Sequence, residues 1–397
     1  MNVSRRLFLA SSLLLSATQF NLVAQNAPRL GSSVPIQADA GTQLNILSYW
    51  TPQRRQAAVP RDVTLDPNTF RNFDMAPLSV NKAVVSGAGA APAVSPNGAN
   101  QAAIPFEMQG LQASVAEDAG ANSAIASPEL IIGPTGFTFP YPFTRFNVLP
   151  DLYRQGGVLR KYPYTAIGKL FFTLNGTNYV CSASVIRPHL LVTARHCVFN
   201  YVDPSGGQFA TNVVFYPGYY FGSNANLGGG WVARRLATWV SNAPNYRYDI
   251  GFVQLFDNDL RGCNGSLGGS PIERYTGYLG YLYGGDFSKR QWNEFGYPQA
   301  APFTGNVMVE SQSATGALNV LGMPDTVEVG NDMTGGSSGG PWITSFYPGL
   351  SGAVNYVNGV NSYKWISPNH ASAMNSPQFQ DYNFNQLRLF AQGLSCP

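Results

Sequence analysis

Apolar and polar positions alternate in short runs over the second half of the chain. Residues 169–174 form one apolar run. Asn175-Gly176 follows, and then a second run over 179–186. Asn-Gly between two such runs is a hairpin signal. Residues 190–193 read as a further strand. Others are predicted at 213–216, 250–255, 292–295, 327–329 and 352–356. Many short runs punctuated by Gly, Pro and Asn predict an all-β chain of barrel type. A helix is predicted only at the end, with Ser376 as N-cap and Pro377 in the first turn. Phe379, Tyr382, Leu387 and Phe390 then share a face, and Gly393 closes the helix.

The first third differs. Arg5-Arg6 precede a short apolar stretch over 7–15, and Leu22-Val23-Ala24 offers small residues for a signal peptidase. Residues 1–24 therefore read as an export signal of the Sec or twin-arginine kind, too short to span a bilayer. Residues 25–134 read as low complexity, with 86–92 and 96–100 rich in Gly, Ala, Pro and Asn. Side chains this small bury too little apolar surface to offset the entropy of ordering. The expectation is a pro-segment or, alternatively, a linker or surface stalk. Arg145, Arg154 and Arg160-Lys161 are candidate processing sites. Residues 137–143, apolar and spaced by proline, are expected as an extended arm or a core edge. The remaining domain would span 135–397.

Composition narrows the function. Only 11% of the 397 residues are charged and the net charge is +3, so nothing points to nucleic acid. No later stretch is long and apolar enough to anchor a mature chain. A secreted or periplasmic monomer is expected. Four cysteines suit an oxidising compartment. Read alone they leave disulfides, free thiols and a metal site open, although no Cys-x-x-Cys spacing favours metal. No acidic loop motif argues for calcium, and no cofactor is expected.

The candidate chemistry centres on Gly335-Gly336-Ser337-Ser338-Gly339-Gly340-Pro341. A serine hydroxyl is a poor nucleophile unless a base lies beside it, the base is oriented, and N–H donors await the oxyanion. Glycines let a loop present two N–H groups to one point. Upstream, Thr193-Ala194-Arg195-His196-Cys197 ends one apolar run. Asp249-Ile250-Gly251 opens another.

These three motifs, in this order and about 50 and 90 residues apart, resemble those of trypsin/chymotrypsin-type serine proteases. The resemblance covers about residue 162 to the end, and its finer likeness is to the bacterial glutamyl-endopeptidase-like branch. It implies two six-stranded antiparallel β-barrels with an active site between them. It implies Ser338 as nucleophile, His196 as base and Asp249 as its orienter. The N–H groups of Gly336 and Ser338 would form the oxyanion hole. It pairs Cys181 with Cys197, closing a loop worth about 3 kcal/mol in the chain-entropy account, and leaves Cys263 for Cys396. His189 and His370 match no motif, and His189 is expected as a surface turn residue.

Ser337 departs from the family, which places there an acidic residue that binds the freed N-terminus. Activation is therefore expected not to use that ion pair. Asp332, six residues before Ser338, stands where trypsin-like enzymes hold a carboxylate for Lys or Arg. A weak preference for cleavage after basic residues in protein or peptide substrates follows. Glutamyl-type specificity is the alternative, although the family's pocket histidine is missing. Asn355, Tyr356 and Val357 are expected to form a pocket wall and a strand edge for substrate. A second class of reading is a protease-shaped binding protein without turnover.

Overall fold

The computed structural model describes residues 29–36, 39–70, 78, 83–93, 141–149, 159, 161–200, 207–222, 227, 229–240, 245–257 and 270–394. The signal reading of 1–24, Arg154, Arg160, Cys263 and Cys396 lie outside them.

Ile167–Leu174 and Thr177–Arg187 form the expected hairpin. Asn175 and Gly176 both take positive φ, 51° and 77°, the twist that a two-residue hairpin turn needs. Leu190–Thr193, Gly251–Leu255, Trp231–Val240 and Thr211–Pro217 continue the sheet back to Ile167–Leu174. Trp231–Val240 pairs with both Thr211–Pro217 and Gly251–Leu255, so the six strands close. In the second barrel the order is Ala373–Pro377, Thr326–Gly330, Met308–Leu318, Gln291–Gly296, Pro341–Thr344 and Tyr356–Val360. A bridge from Tyr363 to Asn375 returns the end of this ribbon to its beginning. Phe143–Val148 adds to Met308–Leu318 as an extended arm. Among the described residues, no helix is long and apolar enough to cross a membrane.

Two predicted elements shift. Ser376 caps no helix: Ala373–Pro377 is a strand, and the Ser376 hydroxyl accepts from Val360 N at 2.9 Å. The α-helix is Gln386–Gly393, after a wide turn over Asp381–Asn385. Gln380 and Asn383 cap that turn reciprocally. Phe379, Phe384, Leu387 and Ala391 are the buried apolar residues here, with Phe384 set against Phe252 of the first barrel. The strand expected at 352–356 begins only at Tyr356, because Asn355 takes φ +55° in a loop.

The low-complexity expectation for 25–134 is corrected where that region is described. Arg29–Ser32 pairs with Trp231–Val240. Helix Ala40–Tyr49 is capped by Asp39, which accepts from Thr42 N at 2.7 Å. Trp50 is 1% exposed, sits beside Phe171, and donates from Nε1 to Asn212 O at 2.6 Å. Val85–Gly87 pairs with Gly280–Tyr283. The small residues here fit tight packing rather than disorder, since a Cβ on Gly87 would strike the Tyr281 ring and one on Gly89 would strike Gly280 N. Arg145 is also buried within its strand, which removes it as a processing site.

Lys169 bolts the barrels together. It stands on Ile167–Leu174, and its Nζ donates to Gln299 Oε1 (2.7 Å) and Gly305 O (2.8 Å) of the second barrel. Burial brings its pKa down from 10.5 to about 7. Between those values the unfolded chain holds a proton that the folded chain lacks. The cost of burying this lysine therefore persists below about pH 7 and fades as pH rises towards 10.5. Lys169→Met is expected to flatten the rise of stability with pH in this window, read from urea midpoints across pH 6 to about 10.

Candidate active site

His196 and Asp249 are brought together as expected. Leu190–Thr193 ends, Ala194 stays extended, and a single helical turn, Arg195–Val198, carries His196. Asp249 follows the turn Tyr246–Tyr248 and precedes strand Gly251–Leu255. That strand pairs with Leu190–Thr193, Gly251 opposite Thr193, which sets both residues at one end of the pair. Asp249 Oδ1 accepts from His196 N at 3.0 Å, and Oδ2 lies 2.9 Å from His196 Nδ1. Both residues are almost wholly buried. Burial alone would raise the Asp249 pKa. The charges of His196 and Arg195 and the bonds from His196 and Ser362 outweigh it, and the carboxyl sits below its ordinary value. The opposite ring nitrogen, His196 Nε2, is buried without a hydrogen-bond partner among the described residues.

The Ser338 loop lies between the barrels. Gly336 takes φ +98°, which a Cβ would oppose. Ser182 N donates to Ser338 O (2.7 Å), and Ser182 Oγ links Gly336 O (3.0 Å) to Tyr297 N (2.9 Å). The disulfide Cys181–Cys197 is present, and Cys197 Sγ lies 3.7 Å from Ser338 O. The residue after His196 thus touches the backbone of the serine. Cys181, His196 and Cys197 are close enough to suggest a metal site, but both sulfurs are bonded to each other and offer no thiolate. Ser338 Oγ donates to Arg61 O at 3.1 Å, and Gly336 N donates to the same oxygen at 3.3 Å.

Ser337 is buried and donates to Thr334 O at 2.8 Å within its own loop. It ties the turn locally, with no ion pair involved. His189 does occupy a turn, at φ +58°, but it is not a plain surface residue: its Nε2 lies 2.5 Å from the fully buried Asp257 carboxylate. His370 lies 2.9 Å from Glu328.

The specificity residues fare differently. Asp332 Oδ2 is bridged by Arg145, 2.8 Å away and itself buried, so this carboxylate is not a free pocket charge. Its other oxygen, Oδ1, is buried without a partner among the described residues. Lys364 Nζ donates to the adjacent Asn331 O at 3.2 Å. Lys364 feels the charges of both Asp332 and Asp62. Asn355, Tyr356 and Val357 do not offer an edge to substrate. Tyr356 and Val357 are paired on both sides, to Pro341–Thr344 and to Gly280–Tyr283. Asn355 spends its amide on Tyr347 and Leu350. The strand beside the cleft lies further on, at Lys364–Trp365, where Lys364 N and the following Ile366 N donate to Val63 O and Leu65 O.

Ser362 was missed by sequence reasoning. Its hydroxyl donates to Asp249 Oδ2 at 2.5 Å. The available signal was the run Asn358, Asn361 and Ser362 at the end of an apolar strand, all three buried. Buried polar groups need partners, and one of these partners is Asp249.

No family model matches the sequence, and no curated protein matches it. Among solved structures, the protease Anisep from Arthrobacter nicotinovorans is 31% identical. The match covers 55% of this chain and 91% of that one, with a TM-score of 0.44. The thermostable serine protease AL20 from an extremophilic microorganism is 28% identical over 58% of this chain and 99% of its own, with a TM-score of 0.49. A Glu endopeptidase is 18% identical, covering 62% and 96%, with a TM-score of 0.45. These neighbours are chymotrypsin-like serine proteases, and the two-barrel architecture of this chain is of the chymotrypsin-like kind.

Proposed function

We propose that this chain is a serine endopeptidase, exported by its first 24 residues and acting as a monomer on protein or peptide substrates. Ser338 attacks the scissile carbonyl. His196 takes the proton at Nε2 and returns it to the leaving amine. Asp249 fixes the tautomer with Nδ1 protonated and stabilises the imidazolium. Water then hydrolyses the acyl-enzyme. The observation that carries this reading is the single carbonyl oxygen, that of Arg61, held at once by Ser338 Oγ and Gly336 N. A peptide carbonyl thus lies against the nucleophile and accepts from Gly336 N, one of the two backbone donors this reading assigns to the oxyanion hole. Ser338 N would be the second donor. Ser362 touches no substrate and acts as a positioning residue through Asp249.

We further propose that the pocket does not select Lys or Arg. Arg145 and Lys364 both already draw on the Asp332 carboxylate, so it is compensated and does not favour a cationic side chain over an acidic or uncharged one. This replaces the expectation of basic specificity.

A peptide-library digest over an extended incubation, read by mass spectrometry beside Ser338→Ala, tests both points. Only the wild type is expected to cut, and the residue preceding each cut is expected to be other than Lys or Arg. A predominance of cuts after basic residues would restore Asp332 as a substrate ligand. Asp249→Asn is expected to lower kcat about 10⁴-fold by holding the wrong tautomer. Ser362→Ala removes one bond to a charged group, so kcat should fall about ten-fold or somewhat more with KM little changed.

A further inference from the structure

The cleft between the barrels holds a peptide, and that peptide is the chain's own. Residues 58–66 cross it as an extended strap. On the first barrel, Val59 and Pro60 lie parallel to Tyr179 and Val180. Arg61 N donates to Val180 O (3.0 Å), while Gln299 Nε2 of the second barrel holds Ala58 O (2.6 Å). On the second barrel, Thr64 and Leu65 lie parallel to Lys364 and Trp365. Lys364 N donates to Val63 O (3.0 Å) and Ile366 N to Leu65 O (2.8 Å). Leu65 is buried in a cluster with Tyr246, Tyr363 and Trp365. In the middle the strap rests on the Ser338 loop: a Cβ added to Gly335 would lie 2.9 Å from Asp62 Cβ and 3.2 Å from Pro60 Cβ.

The contact at the centre turns the chemistry off. Ser338 Oγ gives its hydrogen bond to Arg61 O, while His196 Nε2 is buried without a partner among the described residues. In this arrangement the base does not hold the proton of the nucleophile, which activation requires. Gly336 N is engaged by the same oxygen. The strap also takes up the backbone donors of Lys364 and Ile366 along the cleft edge. Another extended peptide would need those donors.

We propose that residues 58–66 are an intramolecular inhibitor that must leave the cleft before any other peptide is cut. This rests on the protease reading above. The strap is held from both barrels. Trp50, packed in the first, anchors the chain ahead of it, and Leu65 anchors its far end. With the base disengaged, the Arg61–Asp62 bond stays intact, and the strap behaves as a plug rather than a substrate.

The test uses the full chain and a fluorophosphonate probe for Ser338. Leu65→Asp places a charge in the buried anchor without touching the catalytic groups. Wild type is expected to label slowly, Leu65→Asp about 100-fold faster, and Ser338→Ala not at all. That factor corresponds to a site open in about 1% of wild-type molecules. Amide exchange at Lys364 and Ile366 reports release of the strap directly. Ala58→Glu, at the other end, gives the same reading where Leu65→Asp does not fold or leaves those amides protected. Equal labelling of wild type and a released variant, with Ser338→Ala silent, would overturn the inhibitor role and leave the protease reading standing. Cleavage at Arg61–Asp62, seen by intact mass, would overturn it too, by making the strap a substrate. No labelling in a variant whose Lys364 and Ile366 amides exchange freely would overturn the protease reading and, with it, the inhibitor role.

Discussion

The loop around Ser338 has no room for side chains, and that constraint governs the arrangement of the rest. A Cβ on Gly339 would run into Thr193 Oγ1 and Ser182 O, and one on Gly340 into Phe295 O. The first pair belongs to one barrel and the last to the other. The serine is therefore fixed by backbone wedged between two closed sheets, each of which holds its own strands in register. Ser182 completes the wedge through Ser338 O, Gly336 O and Tyr297 N. Interiors packed this closely transmit small shifts, so residues remote from the serine still set its position. Lys169, reaching from one barrel to Gln299 and Gly305 of the other, is one of them.

Around this fixed point, the two aspartates Asp249 and Asp332 each meet a partner. Asp249 is fully buried yet ionised, because His196, Arg195 and Ser362 together outweigh the cost of burying it. Asp332 and Arg145 neutralise each other beside the cleft. Burying a charge is tolerable only when it is paired and hydrogen-bonded. That is why an aspartate at the position of a trypsin-like pocket charge does not imply basic specificity here. Its meaning depends on Arg145, which is 187 residues away in sequence.

The N-terminal region is the part whose composition misled. Gly and Ala around 86–90 suggested a chain unable to bury enough surface. In the fold they are small because Tyr281 and the backbone of Gly280 leave no space for more. Residues 29–70 add a strand, a capped helix and a buried tryptophan to the first barrel, and then a strap to the cleft. Segment and barrels thus form one packed body in this state, and the strap occupies the site whose access it controls.

The sequence alone determined the all-β class, the main hairpin and the three motifs that carry His196, Asp249 and Ser338. Each of these rests on local chemistry: alternating apolar positions, an Asn-Gly turn, or a glycine-flanked serine. The Cys181–Cys197 pair was legible only through the family resemblance. Tertiary structure alone decided what the remaining polar groups are for. Ser376 is sheet glue rather than a helix cap because Val360 N lies opposite it. Ser362 supports Asp249 because two segments distant in sequence meet there. Tyr356 and Val357 cannot receive a substrate strand because both their edges are already paired. The occupant of the cleft is the least local fact of all. Arg61 meets Ser338 across 277 positions of sequence, a pairing that exists only once both barrels have closed around it.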